Sequence, residues 1–408
     1  MRVLLAIHNA YTDNTSGAAI SIRTIVEWLA SSGIECRVVC TARFDARPPE
    51  SISDHLDSLG VDIESLQPPK RLLKNATTIA DIKQICLNSV GVTMLITRHN
   101  TIQSPDPSES EQFIDLVRYA LKNWQPDVLL TYGAHPCVGE VLRQARNRGV
   151  RTVFSVRNYG YEDVRWYTNI DQVLTCSPYL SRHYRRTAGL YSTGIVSPIK
   201  WTNVLASDES RAFVTFVHPA RHKGAALFAR LADMLGSKRP DIPVLVVQSA
   251  ADATELNSIL GIDFSKYPQI LAAPSVPHPS DFFELAKIML VPSVFHEPFG
   301  RVAAESLING IPPIVSNRGA LPETVQDAGL VIPLPDWLTP ASREIPTEKE
   351  TLPWFDAVCN LWDNEDEYAR LSALGRETAR RLYSEEALKP IYLQFFNDPP
   401  RMSLFEDS

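Results

Sequence analysis

Short, almost uninterrupted apolar runs alternate with segments of helical spacing along this chain, and the series runs through twice. Residues 2–7 (RVLLAI), 35–40 (ECRVVC), 128–131 (VLLT), 151–156 (RTVFSV) and 171–175 (DQVLT) read as strands, with amphipathic stretches such as ISIRTIVEWLASSG between them. Strands apolar on both faces cannot lie on a half-exposed sheet, so the pattern predicts a parallel sheet with helices covering both sides. A stretch of small and turn-forming residues, 192–210 (STGIVSPIKWTNVLASDES), closes that series. A second series follows: strand 212–217, helix 224–236, strand 243–248, helix 280–287, strand 288–291, helix 301–309 and strand 312–315. From Pro353 to about residue 397 the spacing is helical. With 408 residues, and about 150 per domain, two doubly wound α/β domains in series are the expected class.

The polar stretch 98–112 (RHNTIQSPDPSESEQ) predicts a surface loop. A net charge of −7 argues against a nucleic-acid-binding role. The six cysteines contain no C-x-x-C pair and no zinc-type Cys/His spacing, which predicts reduced thiols, most of them buried. The apolar start, MRVLLAI, is too short for a signal-peptide core, and no 18 uncharged apolar residues occur in a row. A cytoplasmic protein is expected, at most touching the inner face of a membrane.

The chemistry concentrates in residues 291–325, VPSVFHEPFGRVAAESLINGIPPIVSNRGALPETV. The order is strand end, loop, helix, proline-flanked strand and second loop. Gly300 permits close backbone approach, and the helix that follows offers unpaired N–H groups and a positive dipole end to an anion. Glu305 lies about five residues into that helix, roughly 7 Å from such an anion at 1.5 Å per residue. That is near the span from a diphosphate to a ribose. Glu297, before the helix, is placed to meet a group on the other side of the diphosphate.

The string P-S-x-x-x-E-P-F-G-x-x-x-x-E-S-L-x-x-G-x-P, with Leu321-Pro322-Glu323 after it, resembles the donor-site signature of the retaining glycosyltransferases of family 4, which have the GT-B fold. An isolated E-x7-E would carry little weight; embedded in the whole string it is specific. The resemblance extends over essentially the whole chain. It implies two Rossmann-like domains facing a cleft. The first, acceptor-side domain would span 1–197, and the second, donor-binding domain 198–379. The C-terminal helix, about 380–408, would cross back to the first domain.

Residue by residue, the resemblance implies that Glu305 holds the ribose hydroxyls and Glu297 the sugar hydroxyls. The backbone N–H groups of Phe299, Gly300, Arg301 and Val302 would meet the sugar and diphosphate. Lys223, opening a helix after the strand ending at Val217, would stand on the leaving diphosphate. The family pairs that lysine with an arginine five positions earlier; here the position is His218, and Arg221 lies two before Lys223. Either Arg221 or His218 could supply the missing partner. His135, in LLTYGAHPCVG directly after a strand, resembles the family's cleft histidine beside the donor sugar and acceptor. Gly17 in SGAA matches its glycine loop near the diphosphate. Segment 155–167 (SVRNYGYEDVRWY) combines aromatics with polar donors and is assigned to the acceptor, edge packing being the alternative. The basic pieces 143–151 and 181–186 are read as solvated helix faces, with contact to anionic lipid or a phosphorylated acceptor the alternative.

The function implied is transfer of a sugar, a hexose such as glucose, from a UDP-linked donor to a saccharide, glycolipid or other hydroxyl acceptor with retention of configuration. No metal and no other cofactor is expected, because no D-x-D occurs and the cations and helix dipole can stabilise the leaving group. A catalytically silent nucleotide-sugar-binding protein on the same fold remains an alternative, favoured by His218 and by VVQSA at 246–250, where relatives often carry a glycine pair. Phosphorylase or epimerase chemistry on that fold is a third.

Overall fold

A computed structural model describes all residues except 46–48, 68–80, 102–105, 249–255, 257–258, 260, 262, 275, 277, 402 and 406–408. Ser249 and Ala250 therefore lie outside the described residues. The chain divides into two compact units, Met1–Pro198 with Lys389–Ser408, and Ile199–Leu388.

The first unit contains strands β1 (Arg2–Ala6), β2 (Glu35–Thr41), β3 (Glu64–Leu66), β4 (Ile82–Leu87), β5 (Val90–Leu95), β6 (Val128–Tyr132), β7 (Arg151–Val156), β8 (Gln172–Thr175) and β9 (Thr193–Gly194). Their order in one sheet is β3-β4-β5-β2-β1-β6-β7-β8-β9. The apolar runs occupy the centre, where β1 pairs in parallel with both β2 and β6. Helices α1 (Gly17–Ser31), α2 (Ile52–Asp57), α3 (Pro107–Asn123), α4 (Cys137–Arg146) and α5 (Pro178–Ala188) belong to the same unit. Two sequence expectations change here. The sheet is not wholly parallel: β4 and β5 form an antiparallel hairpin through Asn88 and Ser89, both left-handed at φ 48° and 66°, as a two-residue twisted turn requires. The predicted loop 98–112 is helical from Pro107, because the Asp106 carboxylate accepts from the amides of Ser108 and Glu109 and Pro107 fits the first turn.

The second unit has a six-stranded parallel sheet in the order β12-β11-β10-β13-β14-β15. Its strands are β10 (Phe213–Val217), β11 (Val244–Val247), β12 (Ile270–Ala273), β13 (Ala286–Val291), β14 (Pro313–Ser316) and β15 (Leu330–Ile332). Helices α6 (Ala225–Lys238), α7 (Ser280–Phe283), α8 (Arg301–Ile308), α9 (Leu321–Val325), α10 (Glu348–Asp363) and α11 (Glu365–Tyr383) complete it, and α12 (Glu385–Asn397) follows. The helix expected over 280–287 stops at Phe283, and Ala286 and Lys287 begin β13 instead. Helical structure starts at Glu348 rather than after Pro353, since Thr347 and Glu350 form a reciprocal capping box.

The last residues are tied to the first unit. Tyr392 Oη donates to the Val196 carbonyl at 2.9 Å, Lys389 Nζ to Ser31 Oγ at 2.8 Å, and the Arg151 guanidinium to the carbonyls of Phe396 and Asp398. No helix among the described residues is long and apolar enough to cross a membrane. All six cysteines are free thiols; Cys86 is exposed, Cys359 half-buried and the other four buried.

Candidate active site

Among the parallel strands of each sheet the order reverses direction at one place. The reversal falls between β1 and β6 in the first unit and between β10 and β13 in the second. Crevices at the carboxyl ends of such strand pairs are the usual ligand sites of open α/β sheets. The candidate residues emerge at these ends.

In the second unit, β10 runs into a short 3-10 turn, Arg221–Lys223, and β13 into the loop that leads to Gly300. The two loops are stitched together through the His222 carbonyl, which accepts from the Val294 and Phe295 amides, both at 3.1 Å. Gly224 makes this approach possible: its φ is +93°, and a Cβ there would fall 2.0 Å from the Pro292 carbonyl oxygen. The stitching delivers Lys223 Nζ to 2.7 Å from Glu297 Oε1, an oxygen that also accepts from Ser293 Oγ at 2.9 Å. Glu297 is itself clamped by its backbone, bridging to Gly319 and accepting from the Ala320 amide at 2.8 Å.

Gly300, left-handed at φ +91°, starts α8 with no side-chain cap on the helix amides. The first turn of α8, at Arg301 and Val302, carries the positive end of the helix dipole. Phe299 is anchored by its ring against Tyr383 and by Thr324 Oγ1 donating to its carbonyl. Glu305 is the fifth residue of α8 and only 3% exposed. Arg301 Nε stands 2.6 Å from Glu305 Oε1, off the hydrogen-bonding direction, so this buried oxygen has charge compensation but no hydrogen bond. Burial holds the Glu305 carboxyl above the usual range, with Arg301 acting in the opposite sense.

His218 follows β10 with φ 64°, its amide bonded to the Val247 carbonyl at 3.0 Å. Burial, reinforced by Lys223 and His222, lowers its pKa to about 4, against the pull of Glu297. A neutral imidazole cannot act as a fixed cation at neutral pH, so of the two substitutes for the missing arginine only the exposed Arg221 brings charge.

In the first unit His8, directly after β1, stacks on His135, after β6, with ring centroids 3.4 Å apart and an interplanar angle of 13°. The Cys137 amide points at His135 Nδ1 from 3.3 Å. An amide can only donate, so Nδ1 carries the lone pair and the proton sits on Nε2. Burial and then the Arg43 charge hold His135 below its ordinary pKa, while burial, His135 and Arg43 push His8 down to about 3. Arg43 is itself fully buried and paired with Glu109. Ligand atoms of His8, His135 and Cys137 lie within 4.8 Å of one another, but near-parallel stacked rings aim their nitrogens side by side rather than at one ion. Gly17 is the first residue of α1 rather than part of a free loop, and Ser16 and Ala18 on either side of it line the same pocket as His135.

Segment 155–167 splits. Ser155, Arg157 and Tyr161 line that pocket, whereas the Tyr167 hydroxyl is committed to the Tyr161 carbonyl and Arg165 to Asp163. In the basic stretch 143–151, Arg143 pairs with Glu140 and Arg148 bonds back to Gln144, as on a solvated helix face. Sequence reasoning missed Ser293, the His222 carbonyl and His8. Ser293 was visible within the motif string, but its bond to Glu297 is a tertiary fact.

Residues 16–196 match the glycosyl transferase 4-like domain family, and residues 199–339 match glycosyl transferases group 1. A D-inositol 3-phosphate glycosyltransferase of Paenarthrobacter aurescens (strain TC1) is 28% identical over 166 residues, 39% of this chain and 38% of that protein's length. Sucrose-phosphate synthase from Thermosynechococcus elongatus superposes with a TM-score of 0.67 at 16% identity, covering 97% of this chain and 98% of that one. Anabaena HepE, solved with UDP and glucose, gives 0.66 at 12% identity, with 97% and 99% covered. Two domain families matched in sequence, one after the other on the two units, and a shared fold along nearly the whole chain identify it as a family 4 glycosyltransferase with the GT-B fold.

Proposed function

We propose that this glycosyltransferase moves a hexose from a UDP-linked donor to a hydroxyl acceptor with retention of configuration and without a metal. The observation that carries the reading is the Lys223–Glu297 pair at the switch point of the second sheet, beside the uncapped start of α8. In the reaction the C1–O bond to the diphosphate breaks, and the acceptor oxygen forms a new bond to C1 on the same face. The acceptor proton passes to a departing phosphate oxygen, so atoms and charge balance.

Lys223 and Arg221 offset the charge that grows on the diphosphate, together with the amides of Phe299, Gly300, Arg301 and Val302. Glu297 accepts from sugar hydroxyls, and Glu305 from the ribose hydroxyls through the oxygen that lacks a hydrogen bond. His135 presents a neutral Nε2–H donor toward the sugar, and the amide end of α1 around Gly17 meets the diphosphate. His218 contributes hydrogen bonding only. The solved complex of HepE with UDP and glucose supports a UDP-hexose donor. Release of UDP from UDP-hexoses, measured with and without a pool of hydroxyl acceptors, tests the proposal. Tight UDP binding with no turnover from any nucleotide sugar would favour the silent binding protein, which His218 in the arginine position also supports.

A further inference from the structure

The pocket of the first unit carries more polar chemistry than the stacked histidines account for. It encloses about 500 Å³ at the carboxyl ends of β1, β6 and β7. Besides Nε2 of His8 and of His135, three lining side chains, Tyr132, Ser155 and Arg157, each bury a polar atom (Oη, Oγ and Nη1) that has no hydrogen-bond partner. Tyr132 is 8% exposed and Ser155 is 1% exposed. Roughly nine-tenths of buried polar groups are paired in folded proteins, and an unpaired one is costly. Three on one concavity mark a place where a ligand supplies the partners.

The strands explain why these three converge. Ser155 and Arg157 are two residues apart at the end of β7 and so project from the same face, and Tyr132 is the direct cross-strand partner of Ser155 in β6. Arg157 sets the sign. Its Nη2 donates to Ser197 Oγ at 2.9 Å, and no carboxylate among the described residues forms an ion pair with it. A half-buried, unpaired guanidinium beside two hydroxyl donors is an anion site. Asp45 lines the same pocket and brings an acceptor for hydroxyl groups.

We infer that this pocket holds an acceptor that is a polyol bearing a phosphate monoester. Arg157, Tyr132 and Ser155 each donate to one of its three terminal oxygens, and Asp45 accepts from its hydroxyls. A carboxylate has two oxygens for the three donors and fits less well. The inference rests on the sugar-transfer reading for calling the ligand an acceptor, but the phosphate site is testable alone.

The test is calorimetry on the full chain in saturating UDP, with inorganic phosphate, glucose 6-phosphate, fructose 6-phosphate, inositol 1-phosphate, the parent sugars and glucuronate as probes. A parallel arm uses phosphatidylcholine vesicles with and without phosphatidylinositol 4-phosphate. At least one monophosphate is expected to bind 10-fold or more tighter than its parent. Arg157→Gln should cut that affinity 10- to 100-fold, Tyr132→Phe 3- to 10-fold, and Arg157→Lys less than Arg157→Gln, all with unchanged melting temperature. Binding of soluble monophosphates identifies a free acceptor, and binding of phosphorylated vesicles alone identifies a lipid headgroup; both support the site. Equal affinity for phosphorylated and parent compounds, no phosphate binding in either arm, tighter binding of glucuronate, or no effect of Arg157→Gln overturns it. UDP affinity is read separately, so failure of UDP to bind rejects the donor reading while the phosphate arms still judge the pocket.

Discussion

Lys223 Nζ donates to Glu297 Oε1 at 2.7 Å, so the side chain assigned to the leaving diphosphate and the one assigned to the sugar form a single ion pair. Their side chains are 31% and 9% exposed. A donor bound between them must redirect both, the ammonium to phosphate oxygen and the carboxylate to sugar hydroxyls, with Ser293 Oγ still holding the carboxylate from 2.9 Å. The pairing also holds the lysine in place ahead of the reaction, which lowers the ordering cost at the transition state.

Lys223→Ala is expected to reduce kcat by a factor equivalent to about 3–4 kcal/mol, because leaving-group charge develops only as the bond breaks. It should also cost roughly 1 kcal/mol of stability by leaving Glu297 without its cation, a figure discounted for the partial exposure of the pair. Steady-state kinetics and urea unfolding on the same variant separate the two effects. Unchanged turnover would transfer the role to Arg221.

The two glutamates should separate by ligand. Glu305→Ala removes a buried acceptor and is expected to weaken free UDP about 10- to 150-fold, the value of a charge-assisted hydrogen bond. Glu297→Gln should leave UDP affinity nearly unchanged while lowering turnover and blurring choice between hexoses that differ in hydroxyl orientation. Calorimetry with UDP decides; equal losses in both variants would remove the diphosphate from between them.

Gly224→Ala tests the loop stitching. With φ at +93° and the new Cβ 2.0 Å from the Pro292 oxygen, the His222–Val294 contact must open. The expected loss is about 2 kcal/mol or more in unfolding free energy, with UDP-hexose turnover falling alongside. Wild-type stability would mean that the turn relaxes without separating the loops.

Acid should destabilise the fold through its neutral histidines. The pKa of His8 is lowered to about 3 and that of His218 to about 4, against 6.5 when exposed. Between those values the unfolded chain binds protons that the folded chain excludes, so stability is full above about pH 6.5 and falls as the pH drops toward 4. His8 alone accounts for up to about 3 kcal/mol at pH 4. A His8→Asn variant should show a flatter pH–stability curve across that window in urea titrations.

EDTA is expected to leave UDP release unchanged, since Lys223, Arg221 and the amide end of α8 are assigned the role of a divalent ion. A loss of activity restored by Mg²⁺ or Mn²⁺ would overturn that assignment.

The sequence by itself determined the two sheets and the identity of the second unit's crevice. Both follow from local rules: apolar strands must be covered on both faces, and Gly300 followed by an amphipathic helix makes an amide-lined turn wherever it occurs. Its blind spots were equally local. The β4–β5 hairpin hid because Asn88-Ser89 is a weaker turn signal than a glycine pair, and the start of α10 hid behind Pro353, although Thr347 and Glu350 carried its capping box. Tertiary structure alone decided that His8 stacks on His135 across 127 positions of chain, that Glu297 accepts from both Lys223 and Ser293, and that burial lowers the pKa of His218. It also decided that Tyr132, Ser155 and Arg157 face one pocket. Strand register and burial set which side chains meet and which charges survive desolvation, and neither is a property of spacing along the chain.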